Sequence, residues 1–406
     1  MSVQYDLIIV GGGAAGFFTA INVAENNPEL KIAILERGKE VLSKVRISGG
    51  GRCNVTHAEF VPNELSKNYP RGEKELKGPF HTFMTGDVME WFDRRGVALK
   101  IEEDGRVFPV SDSSETIINC FLSAAKKLGV EILKNHIVKD FYQEDKEWII
   151  QTSQTNFVTT KLMIATGSNA KIWKQLQKLG HQAIEAVPSL FTFNIKDPRI
   201  TNLPGVVTNA TVRVKQSKLS SEGALLITHW GMSGPAILKL SAWGAVELNA
   251  KKYDFEIVVN WLYQYSQHEV FEKLKVLKEQ YAKQQTYKYA QFELPKRLWQ
   301  SLVLASGIKN DTRWADTNKV QLKLLSDQLT QGVFTVKGKS TFKEEFVTAG
   351  GVDLKEVDFK TFESKKHKNL YFAGEVLNID AITGGFNFQN AWTGAYIAAQ
   401  AIVSGF

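Results

Sequence analysis

The chain has 406 residues, 43% hydrophobic and 23% charged, ordinary globular proportions at a length that calls for two or three domains rather than one core. No apolar run reaches the about 18 residues of a membrane span; the longest candidate, 224–240, is broken by His229, Gly231, Gly234 and Pro235. The net charge of +7 comes from 50 basic and 43 acidic residues, interleaved without a block of five or six like charges, which argues against a nucleic-acid partner while leaving one open.

Residues 5–10 are an apolar run, and Gly11, Gly13 and Gly16 follow at once, with Ala14 and Ala15 before the last glycine. A helix of small residues is expected over 17–25, a break at Pro28, and a second apolar run over 31–35 that ends in Glu36. Strand, glycine turn, helix, strand and acid in that order form the dinucleotide-binding fingerprint. Gly11 lets the chain turn sharply, Gly13 lets the backbone approach a pyrophosphate, and Gly16 lets the helix lie close to the strands. The pyrophosphate then meets unpaired N–H groups at the positive end of the helix dipole. Glu36 stands about 20 residues past the last glycine, where an acid accepts hydrogen bonds from the ribose of an adenosine and repels a 2′-phosphate.

Further along, 43–54 reads as a glycine-rich loop. Thr85 reads as a helix N-cap, and Ser113 or Ser114 as the start of a helix running to Lys127. Strands are expected over 130–133, 136–141, 148–152 and 157–160, and 162–167 reads as a buried strand ending in the turn Thr166-Gly167. From about 188 the texture changes: strands over 190–195, 210–214 and 255–259 give way to helices over 267–285, 295–306 and 318–332. Strands return over 333–336 and 346–349. Residues 370–375 resemble the first strand and end in Gly374-Glu375, and a last helix covers 387–403. The simplest organisation is a dinucleotide domain made from both chain ends (1–187 and 346–406), an inserted β-rich domain (188–265 and 333–345) and a helical subdomain (266–332).

NAD and FAD share the fingerprint, and three features favour FAD. A strand long after the fingerprint ends in Thr166-Gly167, Glu375 stands where a second polyol could be held, and Gly384-Gly385-Phe386-Asn387 precedes a helix with Ala391, Gly394, Ala395, Ala398 and Ala399 at helical spacing. That small-residue face lets the last helix approach the sheet, so that its N-terminus stabilises negative charge on a flavin edge. The stretch Ser48-Gly49-Gly50-Gly51-Arg52-Cys53-Asn54 offers backbone to a flat ring and, in Arg52, a fork of donors to phosphate or to a flavin carbonyl. Cys53 reads either as a small buried apolar residue or as a redox thiol. Only one other cysteine, Cys120, is present and no CxxC pair, which argues against disulfide-reductase chemistry and a cysteine zinc site. No export signal precedes the first strand, so a cytoplasmic location is expected.

Taken together, these stretches resemble the YhiN-like flavoproteins of bacteria, a family often labelled as FAD-binding aminoacetone oxidases or NAD(P)/FAD-dependent oxidoreductases. The residues that carry the resemblance are Gly11 to Gly16, Ile47 to Asn54, Gly105 to Pro109, Ala165 to Gly167, Thr228 to Pro235, Gly350 to Val352, and Gly374-Glu375 through Asn387. It implies an α/β fold: a Rossmann-like FAD domain of the glutathione-reductase type with an inserted β-rich domain and a small helical domain. It implies FAD held by Gly11, Gly13, Ala14, Ala15, Gly16, Glu36, Arg37, Lys44, Ser48, Gly49, Gly51, Arg52, Cys53, Asn54, Val138, Thr166, Gly167, Gly374, Glu375, Gly385, Phe386 and Asn387. One departure is Asn378 and Ala381, where Asp and Gly are commoner in the family.

The resemblance further implies a redox enzyme, with amine oxidation and reduction of conjugated enones in steroid-like acids among the family's labels. No second GxGxxG lies between a strand and a helix, so either NADH or NADPH reaches the flavin pocket itself as reductant, or electrons leave to oxygen or to another protein. On the substrate side, 228–235 is the leading candidate: Ser233 reads as an N-cap, Pro235 as an early helix position, and His229 either as a proton donor or as a structural histidine. The expected function is FAD-dependent oxidation or reduction of a small or steroid-like molecule. A flavoprotein acting on tRNA or another nucleic acid, and a non-enzymatic flavin binder, are the alternatives. No catalytic residue and no metal site is assigned.

Overall fold

The N-terminal apolar run becomes the centre of a parallel sheet in a computed structural model that describes residues 3–340 and 347–406. Val3–Val10 pairs in parallel with Ile32–Leu35 on one side and Asn156–Ile164 on the other. Glu131–Leu133 and Leu370–Phe372 extend the sheet outward, both in parallel. A strand buried on both faces needs apolar side chains throughout, and Leu7, Ile8 and Ile9 have no exposed surface. Val10, Leu35, Ile164 and Phe372 therefore stand at one carboxyl edge. Such an edge is where open α/β sheets bind ligands.

Two compact units divide the chain: Met1–Val187 with Val347–Phe406, and Pro188–Phe346. In the first, the helices Ala14–Asn26 and Phe386–Ser404 pack on each other and on the sheet. The close approach comes from the small-residue face: a Cβ on Gly394 would lie 2.8 Å from the Phe362 ring. The meander Val138–Glu144 and Glu147–Thr152 joins the sheet through antiparallel pairing with Asn156–Ile164. The strands expected separately at 157–160 and 162–167 are this one strand, whose polar positions Thr159 and Lys161 are buried and hydrogen-bonded.

Several boundaries differ from expectation for identifiable reasons. The loop at 43–54 begins as a helix, Ser43–Gly51, broken where Ser48 turns extended and Gly49 and Gly50 take φ of 58° and 69°. Thr85 is the first helical residue and not the cap, because its hydroxyl donates to His57 O (2.9 Å) while Asp87 accepts from Met84 N (2.7 Å). The choice at 113–114 falls on Ser113, which accepts from Glu115 N (3.3 Å). Helices Pro62–Ser66 and Glu73–Thr82 carry too short or too interrupted a pattern to be read, the second containing Gly78 and Pro79; Ala170–Lys178, capped by Asn169 and burying Ile172, Trp173 and Leu176, is a further helix not expected from the sequence.

The second unit is an antiparallel sheet covered by helices. Gly332–Lys337, Asp254–Asn260, Val207–Val214, Ser220–Ile227, Gly231–Ser233, Thr192–Asn194 and Lys339–Ser340 lie side by side in that order. Ser220–Ile227 escaped the sequence reading because it merges into an apolar run. Helices Gln267–Gln280, Lys296–Ala305 and Lys319–Thr330 share one core with the sheet, with Trp299, Trp314, Leu322 and Leu325 in the same cluster as Ile257, Val259 and Phe334. The first helix ends five residues before the expected Gln285, since Ala282 O and Gln284 O accept from Ala315 N and Trp314 N instead of continuing the helix. The strand expected over 346–349 is observed as Val347–Val352; Phe346 lies outside the described residues.

Candidate functional site

The glycine turn divides its labour by geometry. Gly11 has φ +116°, and a Cβ there would lie 2.4 Å from Ala165 O. A Cβ on Gly16 would lie 2.0 Å from Gly11 O, so this residue sets how closely the helix meets the strand. Gly13 differs: a Cβ there meets nothing within 4 Å. No side chain caps the helix that Gly13 opens, so its first-turn N–H groups face that open space. Glu36 is held beside it, accepting from Gly12 N (3.0 Å) and Gly38 N (2.7 Å) while half-exposed. Arg37 projects exposed beyond it, and the chain passes Glu36 O through His136 N (2.9 Å) before Val138 opens the meander.

At the same sheet edge Gly374 lies against the turn, since a Cβ on it would be 3.5 Å from Ala15 Cβ. Glu375 forms an ion pair with Lys44, and a Cβ on Gly167 would sit 3.6 Å from that carboxylate. Gly11 to Gly16, Glu36, Lys44, Thr166-Gly167 and Gly374-Glu375 are thus gathered along one edge, as the chain order alone could only suggest.

A second group surrounds the start of the last helix, where Gly385 is the N-cap and no side chain caps it. The Asn54 amide, oriented to satisfy its neighbours, accepts from Gly385 N (3.0 Å) and donates to Thr56 O (2.9 Å). Trp392 donates to Val55 O (2.9 Å) and Thr56 to Gln389 (2.6 Å), so 54–57 is fastened along this helix. Gly49 packs under the Phe108 ring, whereas Gly50 and Gly51 have open space at their Cβ positions. Phe386 stacks on His57 (4.5 Å, 28°) and its carbonyl accepts from Tyr69 (2.6 Å).

Some expected ligating groups are engaged elsewhere. Arg52 donates to Glu102 (2.6 Å) and Asp112 (3.3 Å) and lies 3.8 Å over the Phe108 ring. Asn387 closes the loop before it, bonding Ala381 N (3.0 Å) and O (3.4 Å), while Ser48 donates to Val45 O (2.9 Å). Cys53 is fully buried, and burial pushes its thiol up to about 12, the chemistry of a packing residue. Ala381 is buried, and its neighbour Asp380 pairs with Arg71, so the departure at 378–381 sits in a packed loop.

Sequence reasoning missed His57, Tyr69 and Asn390. His57, whose Nδ1 lies 3.1 Å from Gly384 O, occupies a two-residue strand with no periodicity to betray it. Asn390 is 1% exposed, and neither end of its amide has a hydrogen-bond partner among the described residues. An open cradle at Gly13, Gly50 and Gly51, two uncapped helix starts and an orphaned buried amide fit an extended ligand with a pyrophosphate at its middle. On the other unit, Ser233 is not a cap: Gly234 holds that position, and Ser233 accepts from Thr192 (2.9 Å). His229 and Trp230 stand exposed in the turn between Ser220–Ile227 and Gly231–Ser233. Among the described residues no cluster suits a metal ion, and no helix is long and apolar enough to cross a membrane.

Comparison with known proteins agrees with this architecture. The ribosomal RNA dihydrouridine synthase of Haemophilus influenzae is 30% identical, over 99% of this chain and 99% of that protein. The 3-dehydro-bile acid delta(4,6)-reductase of Clostridium scindens is 26% identical, over 97% and 98%. Among solved structures, the 3-ketosteroid delta1-dehydrogenase of Sterolibacterium denitrificans superposes with a TM-score of 0.53 at 12% identity, covering 100% of both chains, which bears on the fold alone. The profile of the HI0933-like protein Rossmann domain matches residues 5–401, and the chain belongs to that family of FAD-binding Rossmann flavoproteins.

Proposed function

We propose that the protein is a flavin-dependent reductase of a carbon–carbon double bond conjugated to a carbonyl, acting on a uracil base within RNA, with NADH or NADPH as electron donor. The two relatives named above share one chemistry by their names, since a uracil ring and a 4-ene-3-ketone both place the double bond next to a carbonyl. FAD, once reduced by NADH or NADPH, would supply a hydride to the β-carbon, and a proton would complete the α-carbon. The chain's part is to hold and orient. The Gly13 cradle and the helix behind it receive the pyrophosphate, Glu36 the ribose hydroxyls, and the helix start at Gly385 the electron-rich edge of the ring.

The observation that carries RNA over a steroid is the partition of charge. Residues 188–346 hold 22 Lys and Arg against 14 Asp and Glu, a net +8, whereas the rest of the chain sums to −1. A small apolar acid needs one cation; a polyphosphate backbone rewards many. The bile-acid relative favours a second reading, reduction of a small enone. Anaerobic NADPH oxidation separates the two: protein-free ribosomal RNA should support turnover and gain two hydrogens at a uridine by mass spectrometry. Turnover with a 4-ene-3-keto acid and none with RNA would reverse the assignment.

A further inference from the structure

Residues 273–323 contain eleven Lys and Arg against four acids, Glu279, Glu293, Asp311 and Asp316, while the helical part as a whole, 266–332, also holds Glu269, Glu272 and Asp327 and so carries +4, half of the +8. Within it, 282–286 and 312–315 run side by side, tied by Thr286 N to Thr312 O (3.0 Å), Trp314 N to Gln284 O (2.9 Å) and Ala315 N to Ala282 O (3.0 Å). These bonds and the buried Trp299 and Trp314 beneath them fix the backbone. They place Lys283 and Lys288 on one segment beside Lys309 and Arg313 on the other, all four exposed.

None of these four cations enters an ion pair among the described residues, although Asp311 and Asp316 are close in sequence. Other cations of the chain are paired, as Lys215 with Glu256 or Arg95 with Glu25. Tyr289, 49% exposed, stands beside Lys288, whose ammonium lies 5.7 Å from its ring. Fixed, unpaired cations next to an exposed aromatic ring suit a phosphate backbone whose bases can stack.

We infer that the surface formed by 281–290 and 309–313 is the RNA-docking surface of this protein, with Lys283, Lys288, Lys309 and Arg313 on phosphates and Tyr289 against a base. The inference rests on the RNA reading above. The test uses FAD-loaded protein and protein-free ribosomal RNA in a filter-binding series across KCl concentrations. The double variant Lys283→Gln/Lys288→Gln removes two phosphate contacts. It should lower the slope of log K against log salt by about 1.4–1.8 and weaken binding roughly 15- to 30-fold near physiological salt. Lys126→Gln/Lys127→Gln, an exposed pair on the first unit, should leave both unchanged. The flavin spectrum and the rate of flavin reduction by NADPH report that each variant is intact, and Tyr289→Ala supplies an independent arm in which affinity falls with the slope preserved. Wild-type binding with no loss in the Lys283/Lys288 variant, or equal loss in the control pair, overturns the docking surface and spares the RNA reading. Wild-type protein that fails to bind RNA overturns both.

Discussion

Gly13→Val separates a ligand cradle from an ordinary tight turn. Gly13 has φ −98° and ψ −168°, extended backbone that valine adopts without strain, and its Cβ position is empty to 4 Å. The substitution should therefore leave the flavin-free protein about as stable as its flavin-free parent, within about 1 kcal/mol. An isopropyl group in the cradle keeps a pyrophosphate from the first-turn N–H groups. Two charge-assisted hydrogen bonds at about 1.5–3 kcal/mol each are lost, about 3–6 kcal/mol or roughly two to four decades of FAD affinity. Gly16→Val is the contrast. Its Cβ would lie 2.0 Å from Gly11 O, so it should destabilise the fold itself by at least about 3 kcal/mol. The assay is the flavin absorbance of purified protein, calorimetric reconstitution with FAD, and thermal melts of the stripped proteins. A yellow Gly13→Val protein carrying stoichiometric FAD would refute the cradle. A Gly13→Val protein that melts as early as Gly16→Val would show the position to be structural.

Glu36→Ala should weaken FAD by about 1–3 kcal/mol in the same calorimeter, since it removes a charged acceptor; unchanged affinity would remove Glu36 from the ribose site. Burial holds the His181 imidazole below its ordinary range despite Glu356 at 2.8 Å, so the folded state prefers it neutral. Stability is then fully present above about pH 6.5 and is lost as pH falls through that value toward the lower folded pKa. Denaturant titrations at descending pH should show this loss, and His181→Gln should flatten it above the carboxylate range. Cys53, fully buried with its thiol pushed up to about 12, should resist iodoacetamide at neutral pH in the native protein, and Cys53→Ala should retain turnover. Rapid alkylation there with loss of turnover would restore a redox role.

The fingerprint was legible because each of its parts answers a local demand. A doubly buried strand must be apolar throughout, a Cβ at Gly11 or Gly16 would strike backbone, and an acid at the end of the second strand has N–H groups waiting at Gly12 and Gly38. Arg52 and Asn387 were legible as polar groups near the site but not as to their partners. Glu102 and Asp112 reach Arg52 only through the tertiary fold, and Asn387 turns back on Ala381, six residues earlier in the loop. Helices such as Glu73–Thr82 were hidden because Gly78 and Pro79 contradict local propensity, and packing of Leu76 and Phe80 overrides it. Asn54 gave no hint of its task, for its partner Gly385 lies more than three hundred residues away.

Charge shows the same limit. Along the sequence the cations of 273–323 never form a run, because helices and turns place apolar residues such as Leu274, Leu298 and Leu322 between them to face the core. Folding removes those spacers from the surface and brings the segment of Lys283 and Lys288 beside that of Lys309 and Arg313, so a chain with interleaved charges still carries a local basic patch. The unit with the glycine turn, by contrast, is close to neutral, and on the proposed function it would meet the two phosphates of FAD with backbone N–H groups and helix dipoles rather than with lysines. That choice has a consequence for an enzyme that handles RNA. A pyrophosphate site built from free cations would attract any phosphodiester, whereas N–H groups recessed behind glycine admit only a chain thin enough to enter. On the proposed function, cofactor and substrate present the same anionic group and are kept apart by the kind of donor each unit offers.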